Sequence, residues 1–390
     1  MHIVSIEPTP SPNSMKIQLD ERIPDGIRTT YSKANIEQAP AFIAKLFAIQ
    51  GVKSVYHAAN FLAVDRVGSN DWQPILAQIH EVLGGSPSTI DQLQSASEAA
   101  DPSSISSFGE VQVLLQHFRG IPLQVRVTSG MEQQRAGLPQ RFNDAAIRAA
   151  SAAPNLIKER SLEDWGIRYG ELKEVLEEIT QEIDAAYDET RLQSLIEQSL
   201  QLGGAAVEGA SAVSSAGRTT LSKEELLLQL AAPDWKQRYA ALQQIKPSIE
   251  TLPLLTHALK DEKSSIRRLA TVYIGDLKDT LDVLPYLQPA LEDSTASVRR
   301  TAGDTLSDIG DPGAVPMMMK ALKDPNKLVR WRAARFLYEV GDEQALAALR
   351  PAEDDPEFEV RMQIKMAIER IEGGHAAEGS VWQQMTRRSE

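Results

Sequence analysis

The chain has 390 residues, of which 42% are hydrophobic and 24% charged, so it holds enough apolar material for packed cores and exceeds what one domain normally contains. Acidic residues outnumber basic ones 54 to 41, and the resulting net charge of -13 opposes non-specific binding to nucleic acid. The chain has no cysteine, which excludes disulfides, thiolate catalysis and cysteine-ligated zinc or iron–sulfur sites on it.

Residues 1–84 are predicted to form an α+β domain with the element order ββαββα. Apolar and polar residues alternate around Val4 and Ile6, and a second alternation follows the turn-rich segment Thr9–Ser14. The first helix is predicted to end near Gly51, and the last helix is expected to be capped by Asn70. These patterns predict two strand pairs, each followed by a helix.

The N-terminus shows no basic region followed by an apolar one, as a secretory signal would. No stretch reaches the roughly 18 to 20 uninterrupted apolar residues of a membrane span. The sequence therefore predicts a cytoplasmic protein with no membrane partner.

Residues 85–107 are rich in serine, alanine and proline and are predicted to be a linker. Residues 108–202 are predicted to form a middle domain that is either α+β or mostly helical. Within it Gly120–Val127 alternates like a strand. A long helix follows, and its apolar face comprises Leu172, Val175, Leu176, Ile179, Ile183 and Tyr187.

The same helix carries a row of four carboxylates: Glu171, Glu174, Glu178 and Glu182. A metal site would need histidines or a second carboxylate helix opposite this row, and the sequence has no Glu-x-x-His, so the row is predicted to be a solvated face. The six histidines lack ligand spacing, and phosphate-binding glycine motifs are absent, so neither a metal nor a cofactor is expected. Four arginines of this domain could converge on an anion, but scattered surface positions are the favoured interpretation: Arg126, Arg135, Arg141 and Arg148.

Glycine, alanine and serine dominate residues 203–220, which are predicted to be a flexible tether, and residues 373–390 are predicted to be a tail. Between them, in residues 221–372, an arginine recurs at spacings of 29, 32, 31 and 31 residues. We call these the ladder arginines: Arg238, Arg267, Arg299, Arg330 and Arg361. An aspartate precedes each of the last four by six positions: Asp261, Asp293, Asp324 and Asp355. Such a register predicts an α-solenoid of stacked helical repeats.

Because the ladder arginines are regular, we interpret them as holding the stack together through the turn aspartates rather than as a binding site. The predicted partner-binding residues of the repeats are therefore their irregular neighbours: Arg268, Arg300, Trp331 and Arg332. In the first domain the predicted partner-binding residues are Asn13 and Lys16, since loops on a rigid scaffold often carry function. The alternative is that these residue types are present because a tight turn between two strands requires them.

Three segments resemble known families. The aspartate turn, the Val-Arg or Ile-Arg pair and the small residue three positions later resemble HEAT-type repeats, in the short form of phycobilin-lyase-like proteins. Thr9–Lys16 resembles the N-terminal domain of Nfu-type iron–sulfur scaffold proteins, whereas Gly120–Val127, Leu138–Phe142 and Trp165–Tyr187 resemble a bacterial virulence-factor domain. The whole order resembles bacterial proteins of the conserved virulence factor C type. The Nfu resemblance implies a link to iron–sulfur assembly, but that family's Cys-x-x-Cys domain is absent, so this chain is expected to carry no cluster.

The resulting hypothesis is a non-enzymatic cytosolic adaptor whose repeats bind protein partners, while the Nfu-like domain contacts iron–sulfur assembly machinery or its clients. The alternative is an enzyme, because phycobilin-lyase-like repeats can hold a chromophore and HEAT-like folds can host DNA-base chemistry. Residues 221–372 contain 21 lysines and arginines against 25 aspartates and glutamates, so steering towards DNA is weak. A third alternative is an activity of the middle domain that no motif reveals.

Overall fold

The structure, a computed structural model, describes residues 2–9, 11, 13–24, 28–67, 70–84, 109–130, 132–151, 155, 157–203 and 223–374. They form two compact units. One unit holds the N-terminal domain, the strand ends Glu110 and Ser129, and the repeats from Gly310 onwards; the other holds the middle domain and the repeats up to Ile309. The predicted linker, the predicted tether after residue 203 and the predicted tail after residue 374 lie outside the described residues.

The strands are β1 (Ile3–Pro8), β2 (Ser14–Leu19), β3 (Arg28–Ser32), β4 (Val52–Ala58), β5 (Phe61–Arg66), β6 (Glu110–Phe118), β7 (Ile121–Ser129), β8 (Glu132–Gly137) and β9 (Arg160–Tyr169). The helices of the two globular domains are α1 (Ala41–Phe47), α2 (Trp72–Leu83), α3 (Gln140–Ala150), α4 (Leu172–Ala186) and α5 (Glu189–Leu202). The helices of the repeats are α6 (Lys223–Leu230), α7 (Trp235–Leu242), α8 (Leu252–Ala258), α9 (Ser264–Gly275), α10 (Leu284–Leu291), α11 (Ala296–Ile309), α12 (Val315–Ala321), α13 (Lys327–Val340), α14 (Leu346–Leu349) and α15 (Phe358–Glu372).

The N-terminal domain is a five-stranded antiparallel sheet in the order β1-β2-β5-β4-β3, and its apolar side packs with residues of α1 and α2 in one core. The predicted α+β class is confirmed, and the structure adds one strand. That strand, β3, pairs with β4 at the edge of the sheet, and its sequence Arg-Thr-Thr-Tyr-Ser has no apolar alternation that could reveal it.

Two local predictions in this domain are wrong. The pairing register of β1 shifts between Ile3 and Ser5, so Ile3 and Ile6 are buried while Val4 is exposed. A bulge inserts one residue and breaks the period of two that placed Val4 and Ile6 together. The cap of α2 is Asp71, whose carboxylate accepts the backbone N–H of Gln73 at 3.0 Å, and not Asn70.

The middle domain is an α+β unit, which decides between the two alternatives that the sequence left open. Its sheet has the order β8-β7-β6-β9, and the strand predicted at Gly120–Val127 corresponds to β7. The predicted apolar face of α4 is buried in the same core as the sheet and helices α3 and α5.

The C-terminal helices pair into the predicted repeats. Prolines lie at the start of the first helices at Pro253, Pro285 and Pro316. Alanines at matching positions of the second helices are fully buried, which lets these helices pack closely: Ala241, Ala270, Ala302 and Ala333. Among the glycines at the ends of second helices, Gly310 has a positive φ of 65°, whereas Gly341 and Gly373 have φ of -62° and -71°.

The ladder arginines join successive repeats. The Nη1 of Arg267 donates to the carbonyls of Asp261 and Glu262 in its own repeat, at 2.8 and 3.0 Å. Its Nε and Nη2 donate to both carboxylate oxygens of Asp293 in the next repeat, at 2.7 and 2.9 Å. The same pairing to the next repeat joins Arg238 to Asp261 and Arg330 to Asp355. The stacking role predicted for the ladder arginines is confirmed for Arg238, Arg267 and Arg330.

This geometry also explains why the first repeat lacks the aspartate six positions before its arginine. In the first repeat Arg238 donates to the backbone carbonyls of Ala232 and Pro233. A backbone carbonyl is present whatever the side chain, so no aspartate is required for these two contacts.

The side chains of Asp261 and Asp293 receive the arginine of the preceding repeat and also accept the backbone N–H two positions later. No ladder arginine precedes Arg238 in the sequence, so the first repeat has no arginine for such an aspartate to receive. Asp234 instead caps α7 by accepting the N–H of Lys236 at 3.0 Å.

Arg267→Lys is expected to lower the free energy of unfolding by about 2 kcal/mol, because an ammonium cannot bind both oxygens of Asp293 and the carbonyls of Asp261 and Glu262 together. Urea unfolding measures this loss. The matched control is Arg350→Lys, whose side chain is 64% exposed where that of Arg267 is 11% exposed. We expect the control to change stability by less than about 0.5 kcal/mol. Equal losses in the two variants would contradict the structural role of the ladder.

Candidate functional site

The residue immediately after each ladder arginine forms a second register along the repeats. We call these residues the docking positions: Tyr239, Arg268, Arg300, Trp331 and Met362. The first four are buried and Met362 is half-buried. In both units, docking positions contact a globular domain of the same chain, as described below.

Arg268, on α9, binds a carboxylate of the middle domain. Its Nη2 lies 2.7 Å from Oε1 of Glu182 on α4, and Arg168 reaches the other oxygen of Glu182 at 3.4 Å. Glu182 is only 3% exposed and Arg268 only 8% exposed. Both carboxylate oxygens of Glu182 are thus engaged by cations, one from the repeats and one from the end of β9.

This contact corrects the prediction for the carboxylate row of α4. Glu171 and Glu174 are exposed as predicted, Glu178 is half-buried, and Glu182 is buried against the repeats. The prediction was wrong for Glu182 because helical periodicity shows which residues share a face but does not show that another domain covers part of it.

Burial sets the ionisation of the neighbouring groups. It raises the pKa of the Tyr239 hydroxyl, and the negative charge of Glu182 raises it further. Burial also raises the pKa of the Glu178 carboxyl, an effect that the nearby charge of Arg268 opposes. For Arg268 burial is the largest single influence and disfavours the charge, but the charges of Glu182, Tyr239 and Glu178 together with the hydrogen bond to Glu182 outweigh it, so the pKa of Arg268 is raised.

Cations of the repeats surround this buried pair and contact polar groups of the middle domain. Lys263 Nζ lies 2.8 Å from Oε1 of Gln181, and Lys236 Nζ lies 2.5 Å from Oδ2 of Asp184. The guanidinium of Arg300 stacks over the ring of Tyr169 at 4.1 Å. In each of these contacts a cation of the repeats meets a carboxylate, an amide or an aromatic ring of α4 or of the end of β9.

In the other unit, the last repeat holds the N-terminal domain through apolar contacts. Phe358 belongs to the core of that domain, and Met362, at a docking position, packs against it. Beside them Glu359 forms an ion pair with Arg66 at 2.7 Å, and the guanidinium of Arg66 lies 5.2 Å from the ring of Trp72. The docking register is thus used in both units, with different chemistry.

The predicted partner-binding residues are placed as follows. Arg268 and Arg300 contact the middle domain, and Trp331 is buried with Arg332 stacked over its ring at 5.2 Å. Their role in binding a separate partner stays a prediction. Tyr239 and Met362 were not among the predicted residues, although both stand in the register one position after a ladder arginine.

The two residues predicted in the first domain lie on either side of the start of β2. Asn13 donates from Nδ2 to Oε2 of Glu110 at 2.7 Å, and the ammonium of Lys16 lies 5.6 Å from the ring of Phe61. Asn13 and Lys16 belong to one unit, and Arg268 and Arg300 belong to the other. Their partner-binding role also stays a prediction.

Three of the four arginines considered for an anion site have separate partners, and Arg135 is exposed. Arg126 binds Gln124, Arg141 binds Asp184, and Arg148 binds Gln193.

Within the described ranges, no group of three or more histidine, aspartate or glutamate residues could hold a metal ion. Among the helices described above, none is both long enough and apolar enough to cross a membrane.

Models of three protein families match successive segments of the chain. The model of the scaffold protein Nfu/NifU N-terminal domain matches residues 4–86, and the virulence factor model matches residues 116–196. The HEAT repeat model matches residues 224–303 and 284–369. The fold and its docking positions therefore define a HEAT-repeat protein whose repeats hold an Nfu-like domain and a virulence-factor domain.

Two relatives match over their whole length. YpgR of Bacillus subtilis (strain 168) is 50% identical over 386 residues, which cover 99% of this chain and 98% of that protein. Conserved virulence factor C of Staphylococcus saprophyticus is 41% identical over 391 residues, with 100% of both chains covered. The chain belongs to the conserved virulence factor C family. Among solved structures, the crystal structure of SAV1430 from Staphylococcus aureus is 36% identical and covers 21% of this chain and 98% of its own, with a TM-score of 0.20.

Proposed function

We propose that this protein is a non-enzymatic cytoplasmic adaptor that binds protein partners through its HEAT-like repeats. The observation that carries the proposal is that the repeats already bind protein surfaces within this chain. Arg268 binds the buried carboxylate of Glu182, and Arg300 stacks on Tyr169. Arginine and aromatic groups of this kind are the side chains on which protein interfaces commonly depend.

We infer that the first repeat receives the external partner. Three of its apolar side chains are strongly exposed: Leu227 at 49%, Leu228 at 76% and Ile249 at 60%. Single exposed apolar residues are ordinary on protein surfaces, whereas a contiguous group of them marks an interaction site. Leu227 and Leu228 are consecutive on α6, and we propose that they form one interaction surface with Ile249. A partner with an apolar surface would remove these side chains from water.

The Nfu-like domain suggests an accessory role in iron–sulfur cluster assembly. Because the chain has no cysteine, we propose that this role is contact with assembly proteins or their clients, without a cluster bound to this chain's own thiolates. The support for this part is the match of residues 4–86 to the Nfu/NifU N-terminal model.

Quantitative affinity capture with the full-length protein tests the adaptor proposal. We expect specific proteins to be enriched by the wild-type bait and reduced at least tenfold with the triple variant Leu227→Ser, Leu228→Ser and Ile249→Ser. The matched control changes Ile157 and Leu162 of the middle domain to serine, since these are 74% and 48% exposed. Each enriched protein is then purified and its affinity for the three baits is measured by calorimetry.

Enrichment of no protein over an unrelated acidic bait would contradict the adaptor proposal. Equal affinity for the triple variant and wild type would contradict the assignment of the partner to the first repeat. Iron–sulfur assembly proteins among the enriched partners would support the accessory role, and their absence from an otherwise specific set would remove it.

A further inference from the structure

Two side chains of the turn between β1 and β2 hydrogen-bond to both oxygens of a carboxylate that is distant in the sequence. The hydroxyl of Ser11 donates to Oε1 of Glu110 at 2.6 Å, and the side-chain amide of Asn13 donates to Oε2 at 2.7 Å. Glu110 is the first residue of β6, and its backbone carbonyl accepts the hydroxyl of Ser129 at 2.7 Å. The ligand of this turn is thus a glutamate at the start of an extended segment.

Hydrogen bonds within the N-terminal domain orient the two donors towards that position. The Oγ of Ser11 accepts the backbone N–H of Asn13 at 3.1 Å, which leaves its own proton for the carboxylate. The Nε of Arg66 donates to Oδ1 of Asn13 at 3.0 Å, so the NH₂ group of Asn13 faces Glu110. Arg66 is itself held by its ion pair with Glu359 at 2.7 Å. The donors are therefore fixed by groups other than their ligand.

The arrangement selects a carboxylate over an amide. Ser11 and Asn13 both donate to the ligand, and the two oxygens of a carboxylate accept both hydrogen bonds at once. A glutamine has one acceptor oxygen and no charge, so its NH₂ group would face either the NH₂ group of Asn13, which cannot accept, or the hydroxyl of Ser11, which would have to turn its proton away. Sites that hydrogen-bond a specific group reject analogues that lack it much more strongly than apolar pockets do.

We propose that Ser11 and Asn13 form a glutamate-binding site for an extended segment of a partner protein, and that Glu110 occupies this site in cis. A partner glutamate at the start of an extended segment presents the same two acceptor oxygens. It can bind only when Glu110 leaves, so the chain's own strand regulates access. This site belongs to the N-terminal domain and does not depend on the partner surface proposed for the first repeat.

Peptide binding to the full-length protein tests this proposal. Glu110→Ala removes the occupant, and the probe is an acetylated and amidated peptide with the chain's own sequence Gly-Glu-Val-Gln, labelled with a fluorophore. The matched peptide carries glutamine in place of glutamate. We expect the glutamate peptide to bind Glu110→Ala at least tenfold more tightly than wild type, and the glutamine peptide to bind Glu110→Ala at least tenfold more weakly than the glutamate peptide.

A second variant shows whether the peptide uses this site. Asn13→Asp, combined with Glu110→Ala, keeps Oδ1 as an acceptor for Arg66 but replaces the donor by a carboxylate that repels the ligand. We expect peptide binding to be lost while the urea midpoint stays that of Glu110→Ala. Any of three results overturns the proposal: no binding to Glu110→Ala, equal binding of the two peptides, or binding retained by the double variant. The triple serine variant of the first repeat should leave peptide binding unchanged, so the two proposals fail separately.

Discussion

Arg268→Met is expected to lower the free energy of unfolding by about 3 kcal/mol, because it removes one partner of a buried ion pair. Glu182, at 3% exposure, would be left with Arg168 alone at 3.4 Å. The remaining cation compensates only in part, since its side chain is 29% exposed and it approaches a single oxygen. Urea unfolding followed by circular dichroism measures the loss.

The control for this prediction is the double variant Arg268→Met with Glu182→Leu. Replacing both charges by apolar groups removes the pair and leaves only the half-buried Arg168 without its carboxylate, so we expect the double variant to lose less stability than either single variant. Glu182→Leu alone should cost about 3 kcal/mol, because it leaves the buried Arg268 uncompensated. Losses that simply add in the double variant would mean that the two residues do not act as a pair.

Phe358→Ala is expected to cost about 3 kcal/mol, because it opens a cavity in the core of the N-terminal domain. Phe358 is a residue of the last repeat, yet it lies in one cluster with Leu62 and Trp72 of that domain. We therefore expect lower hydrogen-exchange protection both in α15 and in strands β2 and β5. Mass spectrometry of the exchanged protein measures the two regions separately.

The conservative control is Phe358→Leu, which keeps most of the apolar volume and should cost less than about 1.5 kcal/mol. If Phe358→Ala reduced protection only in α15, the N-terminal domain would not depend on the last repeat for its core. That result would remove the docking role assigned to this end of the repeats.

The two domains differ in the kind of groups that would become exposed to water if they separated from the repeats. The middle domain is held by charged groups such as Lys236 and Asp184, which water can solvate on release. The N-terminal domain shares apolar core residues with the last repeat, whose exposure to water is unfavourable. If a partner displaces one domain from the repeats, we therefore expect it to be the middle domain.

The repeats were predictable because their signals are local. Each ladder arginine contacts carbonyls five and six positions earlier, so one helix and its preceding turn produce the pattern within a single repeat. The ββαββα order followed from the same kind of local periodicity. It failed only where the signal was weak, at β3, or interrupted, at the bulge of β1.

The candidate sites were predictable only in part. Arg268 and Arg300 were selected as irregular residues, but the groups that they bind were not identified. Glu110 was not selected at all, because the two residues that bind its carboxylate, Ser11 and Asn13, lie 99 and 97 positions away. No local pattern marks a glutamate that is bound at such a distance.

The sequence by itself determined the absence of thiolate chemistry, the repeat register and the helical faces, since each depends on composition or on residues within a few turns of one another. Only the tertiary structure decided that these repeats hold the chain's own domains. Glu182 belongs by periodicity to a row of surface carboxylates, and it is buried because Arg268, 86 positions later, is brought against it. Burial of a charge depends on which distant residue arrives to compensate it, and that is decided by packing between domains.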